Sequence, residues 1–208
     1  MKTSVKTQEE PGASESWGAR RQTETRGRVL SAAGQILRLQ GYSRLTMERV
    51  AAESGVAKTT LYRRWPTKAA LCMDLYIDIS RRELNMPDTG DVASDLRHIA
   101  NRVVHLQTRT VAGPAFLGLI AEAQVNPDTR TAFLAEFAER RREVTRAVLR
   151  RAIQRREIRA DTDIDLFIDA LGGAVTFRLL QGHAPLTTKF TNALVTLLLS
   201  GCSTKESR

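Results

Sequence analysis

The apolar residues Val29, Ala32, Ala33, Ile36, Leu37 and Leu39 recur at helical spacing, and the same spacing returns in segment after segment to the end of the chain. No sustained alternation of apolar and polar residues interrupts it. A period near 3.6 without a period of two leaves the α-helix as the regular element, and makes the fold class all-α. At 208 residues with 42% apolar content, the chain suits one large domain, or a small domain fused to a medium one, with enough apolar material for a real core.

Helix punctuation divides the pattern. A first helix is expected over about 25–40, stopped by Gly41, which tolerates positive φ. Thr46 is a good N-cap for a short second helix, with Glu48 in its first turn facing the helix dipole and Met47, Val50 and Ala51 on one face. Gly55 ends it. A third short helix is expected over 57–64, broken at Trp65-Pro66 because the residue before proline disfavours the α conformation. Thr67 then caps a fourth, running to about Leu84. Further helices are expected at about 91–109, 114–124, 127–157, 163–181 and 188–200. Asn126-Pro127 reads as a cap with proline at the first position, Thr162 with Asp165 resembles a capping box, and Gly182 and Gly201 sit at C-termini.

The charge is unevenly spread. The chain carries a formal +9, and residues 1–68 hold 13 Lys/Arg against 6 Asp/Glu, whereas 69–208 hold 19 against 17. The basic excess belongs to the first third and points to an anionic partner. Residues 1–22 are polar and end in Arg20 and Arg21, with Arg26 and Arg28 just beyond; they read as a flexible arm, either a plain tail or one that touches DNA. Cys72 and Cys202 are far apart and imply no disulfide framework. No signal peptide and no apolar run of membrane-spanning length is present, so no membrane partner is expected and the location expected is cytoplasmic, at the nucleoid.

The stretch SGVAKTTLYRRWPTK, residues 54–68, combines apolar anchors with dense positive charge at helical spacing. Two short helices joined by a glycine turn and followed by a basic end describe a helix-turn-helix, whose second helix lies in the DNA major groove. Val56 and Leu61 pack that helix onto its supports, while Lys58, Thr59, Thr60, Tyr62 and Arg63 face outward as donors and charges for bases and phosphates. The other reading of Arg63-Arg64 is a solvated basic face, and of Tyr62 a core residue with a wet hydroxyl. Trp65 reads as structural, packing the third helix on the fourth.

The segment LTMERVAAESGVAKTTLYRRWPTKAAL resembles the DNA-binding signature of the tetracycline-repressor (TetR) family. The matching positions are Thr46, Val50-Ala51, Gly55-Val56, Leu61-Tyr62, Trp65 and Lys68, over about residues 25–75. Trp65-Pro66 stands where phenylalanine is the commoner aromatic. The resemblance implies an all-α homodimer with an N-terminal three-helix helix-turn-helix domain (23–68) and a C-terminal effector-binding and dimerising domain (69–208). It implies a repressor of a palindromic double-stranded DNA operator, released by a small, largely apolar effector. It also implies that Thr46 and Lys68 hold phosphates through helix N-termini and side chain, that Tyr62 bonds a phosphate, and that Lys58, Thr59 and Thr60 approach bases or backbone. The alternatives are an activator or global regulator without an effector and, more remotely, a helical enzyme or interaction module.

The rest of the chain is less specific. The last two helical segments are apolar nearly all round and must be buried on several sides, either at a subunit interface or in ordinary core; the interface reading places Leu171 and Leu198 in it, with Gly172-Gly173 at a close backbone approach. Phe116, Leu117 and Ile120 beside His98, Arg102 and Gln124, with Phe177, are expected to enclose an effector cavity, unless they are filled core. Met73 and Tyr76 on the fourth helix would pass the wedge of a ligand to the DNA-reading helices. His98, Arg102, His105 and Arg109 share a helical face, but a metal would need a third ligand and His183 is the one other histidine. Residues 140–159 contain nine arginines, either a second nucleic-acid patch or a solvated face, with Phe133, Phe137, Val144, Val148 and Ile153 as its apolar stripe and Glu136, Glu139, Glu143 and Glu157 as partners. No phosphate loop, catalytic serine elbow or zinc-protease motif occurs, so no cofactor and no enzymatic role is expected, and Cys72 reads as a buried, inert thiol.

Overall fold

The computed structural model describes residues 13–83 and 86–203. Among them are ten α-helices: α1 Ala13–Gln40, α2 Met47–Ser54, α3 Lys58–Arg64, α4 Lys68–Glu83, α5 Val92–Arg109, α6 Ala112–Val125, α7 Pro127–Ala132, α8 Glu139–Gln154, α9 Ile164–Gln181 and α10 Thr188–Ser200. The one β-type pairing among these residues is an isolated bridge between Ile158 and Ser203.

Most boundaries follow the side-chain chemistry. Thr46 accepts the Arg49 amide at 3.3 Å, and Asn126 accepts the amides of Asp128 and Thr129 ahead of Pro127. Gly55 closes α2 in the left-handed region at φ 65°, which a residue with a Cβ enters only at a cost. Three expectations are corrected. Helix α1 begins at Ala13, so residues 13–22 of the expected arm continue the helix; the ARRQTETR run has good helix formers and no proline to stop it. Residues 1–12 of that arm lie outside the described residues. The cap of α9 is Asp163, which accepts the Leu166 amide at 3.0 Å, while the Thr162 hydroxyl donates to the Arg159 carbonyl. The helix expected over 127–157 contains a π-helical turn at Phe133–Ala138 and ends at Gln154, where Arg156 takes φ 60°. Gly201 stands at the C-terminus of α10 as expected, in right-handed geometry.

Three apolar clusters form the interior. The first joins α1–α4 and extends onto Ala115 and Leu119 of α6. The second lies among α5, α8, α9 and α10. The third, centred on Tyr76, Leu106, Ala112 and Phe116, sits where α4, α5 and α6 meet. Leu171 is buried in the second cluster and Leu198 packs against it, so both face their own chain's core rather than the outside. Helix α4 makes its most extensive contact with α6.

The seam between the first cluster and the rest is closed by Tyr42, in the short turn between α1 and α2. Its hydroxyl donates to Glu122 Oε2 at 2.6 Å, and its ring lies so close over Gly118 that a Cβ there would sit 2.1 Å from ring carbons. Gly118→Ala must therefore push Tyr42 off α6. The expected cost is about 1–3 kcal/mol in chemical denaturation, partly recovered by Tyr42→Leu in the same chain. An unchanged unfolding midpoint for Gly118→Ala would show that the ring is not seated there.

Candidate DNA-binding surface and effector cavity

Helices α2 and α3 are held from behind by Leu61, Val56 and Trp65, all buried. Trp65 is fixed at both ends: its indole Nε1 donates to Asp74 Oδ2 at 3.0 Å on α4, and the Arg64 guanidinium lies 5.2 Å over its ring. Asp74 also takes Arg26 of α1 through Nε at 3.1 Å and Nη2 at 2.7 Å, and Arg26 reaches Asp78 at 2.7 Å with its remaining edge. This clamp sets the angle of α3 against α1 and α4.

The opposite face of α3 is open. Lys58, Thr59, Tyr62 and Arg63 are exposed and Thr60 is half-buried, with Thr46 exposed at the start of α2 beside them. The Tyr62 hydroxyl donates to Glu48 Oε1 at 2.9 Å, which raises the tyrosine pKa. Glu48 is held below the usual carboxylate range first by its own backbone amide and then by Tyr62. The phenol is thus already oriented along the N-terminal turn of α2. Lys68 is the first residue of α4, after Thr67, whose hydroxyl accepts the Ala70 amide at 3.1 Å. Its ammonium lies 3.9 Å from Glu122 Oε2 and 4.4 Å over the Tyr42 ring, so the side chain is engaged at the seam. Glu122 and Tyr42 were not singled out in the sequence, and Glu48 was read there only against the helix dipole; each of these contacts spans at least ten residues and leaves no periodic trace.

A cavity of about 610 Å³ lies among α4, α5, α6, α8 and α9. Its aromatic end is Tyr76, Phe116 and Phe133, with Phe116 6.0 Å from Tyr76 and 6.3 Å from Phe133 between ring centres. Of the expected ligand contacts, Tyr76, Arg102, Phe116 and Ile120 line it; Met73, His98, Gln124 and Phe177 do not. Met73 is buried in the α1–α4 core, one face of the helix away from Tyr76. His98 is exposed, because the neighbouring Ile99 takes the inward position. Gln124 is exposed and its amide donates to the Ile120 carbonyl at 3.1 Å. Phe177 is 59% exposed and stacks on His183 at 5.4 Å, since α9 turns Val175 inward and residue 177 to the opposite side. The sequence reading missed Ser80, Arg81, Arg141, Arg142 and Thr145 of the lining. The two α8 arginines were concealed in the arginine run, where nothing local distinguishes inward from outward.

That run is mostly a paired surface. Arg146 meets Glu139, Glu143 and Asp165, Arg142 meets Asp165 and Asp169, and Arg155 meets Asp88 and Glu157. The side chains of Glu136 and Phe137, expected in the same pattern, lie outside the described residues. The Cys72 thiol is pushed up to about 12 by burial, which makes it a poor nucleophile.

The chain's similarity to known proteins covers both halves. Residues 29–74 match the sequence model for bacterial regulatory proteins of the tetR family, and residues 86–198 match that for the tetracyclin repressor-like C-terminal domain. The chain is 31% identical to an uncharacterized HTH-type transcriptional regulator, YdeS, of Bacillus subtilis, over 78% of this chain and 82% of that protein. It is 32% identical to a DNA-binding transcriptional repressor, TetR, of Mycobacteroides abscessus, over 83% and 90% respectively. Among solved structures it resembles the TetR family transcription regulator SCO0332, with 43% identity, a TM-score of 0.74, and 86% of this chain and 98% of that one covered. With its helix-turn-helix and its C-terminal helices both matched, the chain belongs to the TetR family of DNA-binding transcriptional regulators, which is not a family of enzymes.

Proposed function

We propose that the protein is a cytoplasmic repressor that binds a palindromic operator as a homodimer and leaves it when a small effector occupies the cavity. In this reading residues 1–22 form a basic-ended extension, 23–68 the DNA-binding unit, and 69–208 the effector-binding and dimerising unit. The observation that carries it is the open face of α3, with Lys58, Thr59, Tyr62 and Arg63 exposed on a helix clamped from behind. Tyr62 exchanges Glu48 for a phosphate on DNA, and the α2 and α4 N-termini supply further amides to the backbone. Tyr62→Phe should weaken operator binding by about 1 kcal/mol on every sequence, whereas Lys58→Ala should weaken it more and lower the salt dependence by about one phosphate contact. Footprinting across an operator series and a salt titration measure both, and wild-type binding in the two variants would remove α3 from the interface.

The dimer reading rests on the outer face of α9 and α10. Leu166, Ala170, Gly173, Phe177 and Leu180 follow steps of four and three along α9, and Leu166, Phe177, Leu180 and, on α10, Leu197 are each at least half exposed. A Cβ at Gly173 would meet nothing within 4 Å, leaving room for a partner helix to approach. A paired α9–α10 layer covers this stripe and holds two α3 helices at half-site spacing. Phe177→Asp or Leu197→Asp should cost several kcal/mol of association and reduce operator binding with it. Analytical ultracentrifugation reads the first effect, and a monomeric wild type at micromolar concentration would overturn the reading.

Release is proposed to run through α6 and α4. Ala115 and Leu119 of α6 belong to the α1–α4 core, while Phe116 and Ile120 of the same helix line the cavity. Turning a population from roughly 1:99 to 99:1 requires the effector to prefer the released state by about 5.5 kcal/mol. A thermal-shift screen paired with operator release tests the coupling. Ligands that stabilise the protein in the cavity without weakening operator binding would disprove it.

A further inference from the structure

We infer that Glu48 is a specificity-determining residue of the DNA-binding surface: it reads the amino group of one cytosine in the operator and opposes binding where no such group is offered. This rests on the reading of α3 as the DNA-facing helix. Residues 42–68 contain two acids, Glu48 and Glu53, among six Lys and Arg residues. Glu53 is paired along its own helix, 3.6 Å from Arg49. Glu48 is exposed in the first turn of α2, and its neighbours belong to the outward set. Tyr62 donates to its Oε1 at 2.9 Å, and the Lys58 ammonium and the Thr46 hydroxyl also favour its charged form. Capping α2 asks only for an acid near the backbone amides. It does not ask for one that is met by the tyrosine and lysine of the next helix.

A carboxylate in this position has both a cost and a use. In the free protein the Tyr62 hydroxyl satisfies one of its oxygens. On DNA the phenol turns to a phosphate, as proposed above, and Glu48 is left without that donor beside a polyanion. The unpaired charge disfavours every duplex that does not replace the lost bond, and a repulsive element of this kind creates specificity. In the major groove guanine offers two acceptors, and thymine an acceptor and a methyl group, so neither bonds a carboxylate. Adenine sets an acceptor beside its amino group. Cytosine offers the amino group alone, and is the base from which a carboxylate accepts. An amide on a side chain of the same length fits adenine instead, through one donor and one acceptor.

The test is selection of bound DNA by the full chain from a pool of randomised duplexes, followed by sequencing and by affinity measurements on the enriched duplex and its single-base variants. The wild type should enrich a sequence in which one cytosine is favoured about tenfold over the other bases. Glu48→Ala should lose that preference and bind unrelated duplexes more tightly. Glu48→Gln should move the preference to adenine at the same position; it keeps the length and shape of the side chain, so it decides the matter even if Glu48→Ala unfolds α2. Tyr62→Phe should weaken binding on all sequences and keep the cytosine. If the Glu48 variants enrich the wild-type sequence with the same cytosine preference, or tighten binding on all duplexes equally, Glu48 reads no base; the inference is overturned while the reading of α3 stands. If Glu53→Gln shifts the preference as Glu48→Gln does, the effect is one of overall charge and the assignment fails. If the wild type enriches no sequence, the reading of α3 fails and this inference fails with it.

Discussion

Asp74 on α4 is the point on which the orientation of α3 against α1 and α4 depends. It receives Arg26 from α1 through two nitrogens and the indole of Trp65 from the end of α3; Trp65 is buried, and Arg26 and Asp74 are half-buried. Burial alone would push the Asp74 carboxyl up, but the bonds from Arg26 and Trp65 outweigh it and hold the pKa below the usual range. A depressed carboxylate contributes stability above its unfolded-state pKa and loses it as pH falls through the folded value. The clamp is therefore intact at neutral pH and opens in acid. Losing either partner would leave a half-buried charge uncompensated, which costs more than the pair itself is worth.

Helix α4 links that clamp to the interior on its other side. Asp74 faces α1 and α3, while Tyr76, Ile77 and Ser80, a few positions on, face the cavity. Helix α6 has the same two-sided character, with Ala115 and Leu119 toward the α1–α4 core and Phe116 and Ile120 toward the cavity. The two helices are packed on each other, so a shift of either side chain layer is felt by both. Tyr42 fastens the arrangement: its ring rests on Gly118 and its hydroxyl on Glu122, and burial followed by the Glu122 bond raises its pKa. Glu122 also accepts the Thr129 hydroxyl at 3.4 Å and lies beside Lys68, so one carboxylate ties the α1–α2 turn, the start of α4 and the start of α7.

The second half of the chain accommodates its run of arginines by pairing. Arg146 and Arg150 of α8 pair with Glu139 and Glu143 on the same helix, and Arg142 and Arg146 reach across to Asp165 and Asp169 on α9, which keeps most of the run a structural surface. Such exposed pairs add little stability individually. Arg141 and Arg142 of the same helix line the cavity.

The all-α class, the two short helices around Gly55, the caps at Thr46 and Asn126 and the outward set on α3 were legible in the residues alone. These features depend on spacing and on groups within three or four positions of each other, and that information is local. The family resemblance was equally readable, because Thr46, Gly55, Leu61, Tyr62 and Lys68 fall in one continuous stretch. The cavity was only half legible. Periodicity placed Tyr76, Phe116 and Ile120 on apolar faces, but it gave no phase between helices, so Phe177, His98, Gln124 and Met73 were assigned to a lining that the packing gives to Ser80, Arg141, Arg142 and Thr145. The same limit misplaced Leu171 and Leu198, which are apolar like Leu166 and Leu197 yet lie on the inner side of their helices. Local sequence determined which segments are helical, where they start, and which short helix carries the exposed cations. Tertiary structure decided which face of each helix meets which neighbour, because that depends on contacts between residues tens of positions apart, such as Tyr42 with Gly118 and Arg26 with Asp74.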